Sequence, residues 1–216
     1  MLIGEQTPFI FIAVPKTGSS SIERLLGPLA KHTMNGHFNK HVLAMKLRDE
    51  LPPETWTSSF RFAFVRNPYH WMASWYRFRK RDSLSDPSNP HHHRYTGDMS
   101  FDEFIHGFRD GELMLRQSDF IATHAGELLV DYVGRFETLQ ADFDAISEKL
   151  MIPTAILPRV KISRPGTAAD AGEPMSAASR TIINDYFRRC LLYTSPSPRD
   201  NDWERGCGGL VERGGG

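Results

Sequence analysis

The chain has 216 residues, 40% hydrophobic and 24% charged, which suits one ordinary globular domain and makes a second unexpected. Lys plus Arg and Asp plus Glu number 26 each, so no global basic field points to nucleic acid, and any anion site has to be built locally. Cys190 and Cys207 form no CxxC pair, and the longest apolar stretch, Pro8 to Val14, is too short for a bilayer and follows no signal pattern; no disulfide framework, zinc site or membrane segment is expected.

Pro8 to Val14 is a continuous apolar, β-branched and aromatic run, the pattern of a central strand covered on both faces. After a loop over Pro15 to Ser19, Ile22, Leu25, Leu26 and Leu29 recur at the spacing of a helix's buried stripe. Lys31 to Pro53 is polar and histidine-rich, with a short helix expected from Val42 to Leu51. Phe60 to Val65 reads as a second strand. Asn67 is then a good N-cap and Pro68 suits a first helical position, so a helix carrying Met72, Trp75 and Tyr76 follows. Asp82 to Gly97, with two prolines and His91-His92-His93, is expected to be a solvated loop rather than a metal site. Ser100 and Glu103 form a capping-box pattern ahead of Phe101, Phe104, Ile105 and Phe108. Leu128 to Phe136 reads as a third strand, and Leu139, Phe143, Ile146 and Leu150 mark the helix behind it. Thr154 to Pro174 is mostly loop, and Ile182, Ile183, Tyr186 and Phe187 suggest a last helix. This alternation predicts a three-layer α/β, P-loop-like fold over residues 1–189, with a central, mainly parallel sheet flanked by helices and ligands at the carboxyl ends of its strands.

Two motifs fall at such ends. Between the first strand and its helix, Pro15-Lys16-Thr17-Gly18-Ser19-Ser20-Ser21 places backbone N–H groups at the positive end of a helix dipole. Gly18 permits close approach of an anion, the three serines add hydroxyl donors, and Lys16 adds a full charge. Lysine precedes the only glycine by two residues, unlike the Walker A order, and Thr17 is not in the magnesium-binding place. The plain alternative is a Ser/Gly turn capping an ordinary helix. At the second strand end, Arg66 offers a planar fork for phosphate, and Ser74, two turns into the next helix, adds a donor. The alternative there is an Arg66 paired with a carboxylate and a Ser74 that only packs.

Together these stretches resemble the sulfotransferase family that includes heparan- and chondroitin-type carbohydrate sulfotransferases and bacterial relatives. Val14 to Ile22 is similar to that family's 5′-phosphosulfate loop, and Phe62 to Tyr69 continuing through Ser74, Tyr76 and Phe78 to its 3′-phosphate site. Gly134 to Phe143 resembles a third block, and Leu157-Pro158 with Ser163 a fourth. The resemblance implies a metal-independent enzyme that transfers a sulfuryl group from 3′-phosphoadenosine 5′-phosphosulfate to a hydroxyl or amine of a carbohydrate or small-molecule acceptor. It implies that Pro15, Lys16, Thr17, Gly18, Ser19, Ser20 and Ser21 hold the 5′-phosphosulfate, with Lys16 neutralising the leaving phosphate, and that Arg66 and Ser74 hold the 3′-phosphate.

The acceptor needs a base near neutral pH, for which histidine is suited. Lys40-His41 with Ala44 resembles a Lys-His-x-x-Ala pattern of bacterial members, so His41 is the assigned base, with His37 second. Three departures stand out: His70-Trp71 replaces a common Asp-Arg pair, Lys161 stands where asparagine is frequent, and the acidic–aromatic ending is missing after Arg189. Residues 190–216, rich in Ser-Pro and glycine, are expected to be disordered, either as a non-native ending or as a real flexible tail. The competing functions are an ATP-dependent P-loop-type phosphotransferase and a nonenzymatic nucleotide-binding relative. A complete N-terminus implies the cytoplasm, and a fragment of an anchored protein implies the Golgi lumen.

Overall fold

The computed structural model describes residues 1–31, 40–110, 115–158, 160 and 175–194. The first half runs β1 (Leu2–Gly4), β2 (Phe9–Ile12), α1 (Ser19–Leu26), β3 (Ala30–Lys31), α2 (Ala44–Glu50), α3 (Pro53–Ser58), β4 (Phe60–Val65) and α4 (Pro68–Arg79). The second runs α5 (Asp82–Ser85), α6 (Phe101–Asp110), α7 (Gln117–Ile121), β5 (Tyr132–Arg135), α8 (Leu139–Lys149), α9 (Ala177–Tyr186) and α10 (Arg188–Thr194).

The described strands form one sheet in the order β3-β1-β2-β4-β5. β2 and β4 are parallel, with Phe9 opposite Phe60 and Ile12 opposite Ala63; β4 and β5 are parallel, with Val65 opposite Arg135. The expected parallel arrangement therefore holds at the centre. β1 is antiparallel to both β2 and β3, making that edge mixed. With 3 and 2 residues, β1 and β3 are too short to show a period in sequence.

All four residues of β2 are fully buried, so both of its faces are covered. Because side chains alternate, the two faces build two cores. Ile10, Ile12, Val14, Ala63 and Val65 pack with Leu47, Trp56, Phe120 and Ile121 from α2, α3 and α7. Phe9, Phe11, Phe62 and Phe64 pack with Ile22, Leu26, Phe143 and Ile146 from α1 and α8. The result is a helix–sheet–helix stack. A third cluster lies beyond the sheet, where Trp71, Met72 and Tyr76 of α4 meet Phe104 and Ile105 of α6 and Ile183 of α9, with Phe187 and Cys190.

Several boundaries differ from the sequence expectation. The α1 stripe stops at Leu26 because Gly27-Pro28 opens a 3₁₀ turn, and Leu29 is left 39% exposed. The third strand is only Tyr132–Arg135, with Leu128 in an isolated bridge to Ala122. Helices α3, α5 and α7 carry too few periodic positions to be read in advance. The boundary expected after Arg189 falls inside α10. Cys190 is only 1% exposed, and its Sγ accepts from the Ser118 backbone N–H at 3.4 Å. The rest of the expected tail, 195–216, lies outside the described residues.

Candidate active site

The β2–α1 loop is shaped by two left-handed residues, Lys16 (φ 64°) and Gly18 (φ 81°). Only glycine enters that region without cost, so a lysine there marks a backbone held by its surroundings. The holding contacts are visible. Thr17 is fully buried, and its hydroxyl donates to the Val14 carbonyl at 3.0 Å. The Pro15 carbonyl accepts a 2.7 Å hydrogen bond from the indole N–H of buried Trp71. The φ of Gly18 is what excludes a larger residue there; an added Cβ would lie 2.8 Å from Leu139 Cδ2, the tip of a half-buried side chain that would have to turn aside. α1 begins at Ser19 with Gly18 as its cap; the Ser21 N–H donates to the Gly18 carbonyl at 2.9 Å, while the Ser19 and Ser20 N–H groups precede any carbonyl the helix can offer them. Ser19 and Ser21 are buried, Ser20 half-buried.

Lys16 leaves this loop toward α4. Its ammonium lies 4.5 Å from the Phe78 ring centre and 5.6 Å from that of Trp75. On the opposite flank, Lys40 donates to Ser20 Oγ at 3.1 Å and ion-pairs with Glu23.

Arg66 follows β4 directly. Its backbone N–H donates to Gln117 Oε1 and its carbonyl accepts from Gln117 Nε2, both at 2.7 Å. Fully buried Gln117 thus closes off the strand end as a neighbouring strand would. The guanidinium lies 4.1 Å over the Phe136 ring and reaches back to the Lys16 carbonyl at 3.5 Å. α4 starts as expected: Asn67 Oδ1 accepts from the Tyr69 N–H at 3.0 Å, with Pro68 first in the helix. The Asn67 N–H donates to Glu137 Oε1 at 2.8 Å, and His70 Nδ1 lies 3.7 Å from the same oxygen. Burial opposes ionisation of Glu137, but the nearby His70 ring and the hydrogen bond from the Asn67 N–H outweigh it and hold the carboxyl below its usual range. Ser74 is buried on α4.

His41 docks on the strand side of the loop. Its Nδ1 lies 2.6 Å from the Ala13 carbonyl oxygen. A carbonyl only accepts, so Nδ1 carries the hydrogen and Nε2 presents a lone pair. Partial burial lowers the ring's pKa below the usual histidine value, with Lys40 and the Met1 α-amino group adding to the effect and the Ala13 bond and Glu23 opposing it. The balance favours the neutral imidazole.

One end of the parallel strands thus gathers Lys16 to Ser21, Arg66 and His41, three segments far apart in the chain. Residues 1–193 match the family model described as the sulfotransferase family. The chain belongs to the sulfotransferase family. No curated protein and no solved structure matches it.

In this sulfotransferase the block Gly134 to Phe143 forms the floor between the two motifs: Phe136 under Arg66, Glu137 on Asn67 and Leu139 against Gly18. Asp142 fixes the turn by accepting from the Arg135 N–H and the Thr138 hydroxyl, both at 2.7 Å. Of the departures from the family pattern, Trp71 and His70 each have a place here, on Pro15 and beside Glu137. His37, Lys161 and Ser163 lie outside the described residues. Gln117 was not legible in sequence, since a single glutamine in a 5-residue helix carries no pattern. The His91 to His93 stretch lies in a turn in which His92 Nδ1 bonds the Leu84 carbonyl at 2.9 Å. Among the described residues no group of His, Cys, Asp and Glu is arranged to hold a metal, and no helix is long and apolar enough to cross a membrane.

Proposed function

We propose that this sulfotransferase takes 3′-phosphoadenosine 5′-phosphosulfate as donor and sulfates a hydroxyl or amine of a carbohydrate or small molecule. The observation that carries the donor assignment is the 3.5 Å approach of the Arg66 guanidinium to the Lys16 carbonyl, which puts a second cation beside the anion loop. One anion pocket suits any phosphate; two adjoining ones suit a donor phosphorylated at both the 3′ and 5′ positions. The donor residues are Pro15 to Ser21 for the 5′-phosphosulfate and Arg66 with Ser74 for the 3′-phosphate. In the loop, the helical N–H groups of α1 and the Ser19 and Ser20 hydroxyls offer hydrogen bonds. Buried Thr17 contributes by fixing the turn and through its backbone. Lys16 neutralises charge that develops on the leaving phosphate oxygen. A parallel β2–β4–β5 core with its anion loop directly after β2 supports a P-loop-like reading of the fold.

His41 is the base in this reading. Nε2 takes the acceptor proton as the acceptor oxygen or nitrogen bonds to sulfur, the bridging S–O bond breaks, and its electron pair stays on the phosphate. The Ala13 hydrogen bond fixes the tautomer this requires.

Calorimetry tests the donor. Adenosine 3′,5′-bisphosphate is expected to bind in the micromolar range without added metal, and Mg-ATP much more weakly. Binding of Mg-ATP alone would show a phosphotransferase and overturn the assignment.

A further inference from the structure

Lys40 lies outside the anion loop in sequence, yet its side chain ends on it. The ammonium is 3.1 Å from Ser20 Oγ and ion-paired with Glu23. Ser20 and Glu23 are three residues apart on α1, hence on one face of the helix, and the ammonium bridges them. The backbone is held as well, because the Lys40 carbonyl accepts from the Met1 α-amino group at 2.8 Å, and that group also meets Glu23 Oε1 at 3.2 Å. An ammonium has three hydrogens, and Ser20 and Glu23 account for two. With its side chain 37% exposed, Lys40 remains accessible to a ligand in solution.

Ser20 is the second residue of α1, so this ammonium stands one hydroxyl away from the helix start, where the Ser21 N–H donates to the Gly18 carbonyl and the Ser19 and Ser20 N–H groups precede any carbonyl the helix can offer them. Lys16 approaches from the other flank, against Phe78 and Trp75 of α4. A phosphosulfate carries two negative charges before transfer, and one lysine offsets only one of them. We propose that Lys40 is a second cationic contact for the anion held at the α1 N-terminus, bonding the 5′-phosphosulfate end of the donor while Glu23 aims it. This inference rests on the donor assignment made under Proposed function. Lys40 moves no proton; the acceptor proton still goes to His41 Nε2, and the electron pair of the broken S–O bond still stays on the phosphate.

The same placement couples Lys40 to the base. The charged groups that act on His41 are Lys40 and the Met1 α-amino group, which favour its neutral form, and Glu23, which favours the charged one. Removing the Lys40 charge is therefore expected to move the acid limb of the rate profile to higher pH.

The test is calorimetry on the full chain, unmodified and as Lys40→Met, Lys40→Gln and Lys40→Arg, with adenosine 3′,5′-bisphosphate and with adenosine 3′-monophosphate. Loss of one charge-assisted hydrogen bond should weaken bisphosphate binding about tenfold or more in Lys40→Met and Lys40→Gln. Binding of the 3′-monophosphate, which lacks the 5′ group, should stay within about twofold, and Lys40→Arg should recover most of the loss. Equal bisphosphate affinity in all variants overturns the proposal. So does an equal loss for both ligands, which would mark Lys40 as merely structural. If the unmodified chain binds no bisphosphate, the donor assignment falls and this inference with it, a result seen before any substitution is made.

Discussion

At the scale of single residues, His41 is the side chain whose chemistry is most narrowly set. Its Nδ1 is committed to Ala13, and burial of the ring favours the neutral form, so Nε2 stays a competent acceptor below the usual histidine pKa of about 6.5. The activity prediction has a definite sign. Activity should hold as pH falls through about 6.5 and be lost only on the acid side of that value, as a pH profile of kcat/KM would register. Stability follows the same direction. A group with a depressed folded pKa binds more protons when unfolded, so its contribution is present above the unfolded value and declines as pH falls through the folded one. His41→Ala should lower turnover about 10²- to 10⁴-fold while leaving bisphosphate affinity nearly intact. A variant with unchanged turnover would remove His41 as base, and the same experiment on His37→Ala locates the alternative.

At the scale of elements, α4 connects the two halves of the site. Its start is set locally by Asn67 and Pro68, its N-terminus receives Glu137, and its third residue after Pro68, Trp71, donates to the loop carbonyl of Pro15. That last bond joins residues 56 apart in sequence and is buried, so its loss leaves a carbonyl without its donor. Trp71→Phe is expected to cost about 1–3 kcal/mol in urea unfolding. It should also raise the donor KM, because the anion loop loses an anchor. An unfolding cost without any change in donor KM would show that Trp71 only packs. The capping residues of α4 were readable, since a cap is a local event within three residues. The Trp71 contact was not. The residue resembled only an anomaly beside a family motif until the fold laid it under the loop.

At the scale of the whole molecule, the site depends on how closely β4 and β5 pair and on what braces them. Gly134 sits where a Cβ would lie 2.6 Å from the ring of fully buried Phe64, which has no room to retreat. Gly134→Ala should destabilise the chain by about 1–3 kcal/mol. In a domain of this size that corresponds to roughly 2–4 °C of Tm per kcal/mol, measurable by calorimetric melting. An unchanged Tm would mean that the sheet spreads there without cost. The opposite brace is the C-terminal pair of helices: Phe187 stacks edge-on against Trp71 at 5.6 Å, and Cys190 bonds Ser118, next to the Gln117 that fixes Arg66.

Sequence alone determined the features that arise within a few neighbouring residues. These are the buried β2 and β4 runs, the helices that follow them, the Asn67 cap, the Ser100–Glu103 capping box and the placing of the Pro15–Ser21 and Arg66 segments at strand ends. Each is encoded by spacing or by a preference of the local backbone, so each is legible before folding. Tertiary structure decided what joins distant segments. It added the antiparallel edge of β1 and β3, placed Gln117 on Arg66 across 51 residues, laid Trp71 on Pro15, and brought Lys40 onto Ser20 and His41 onto Ala13, at the two ends of one loop. Such contacts leave no periodic trace, because the partner of a buried polar group is fixed by which elements pack together and not by its neighbours in the chain.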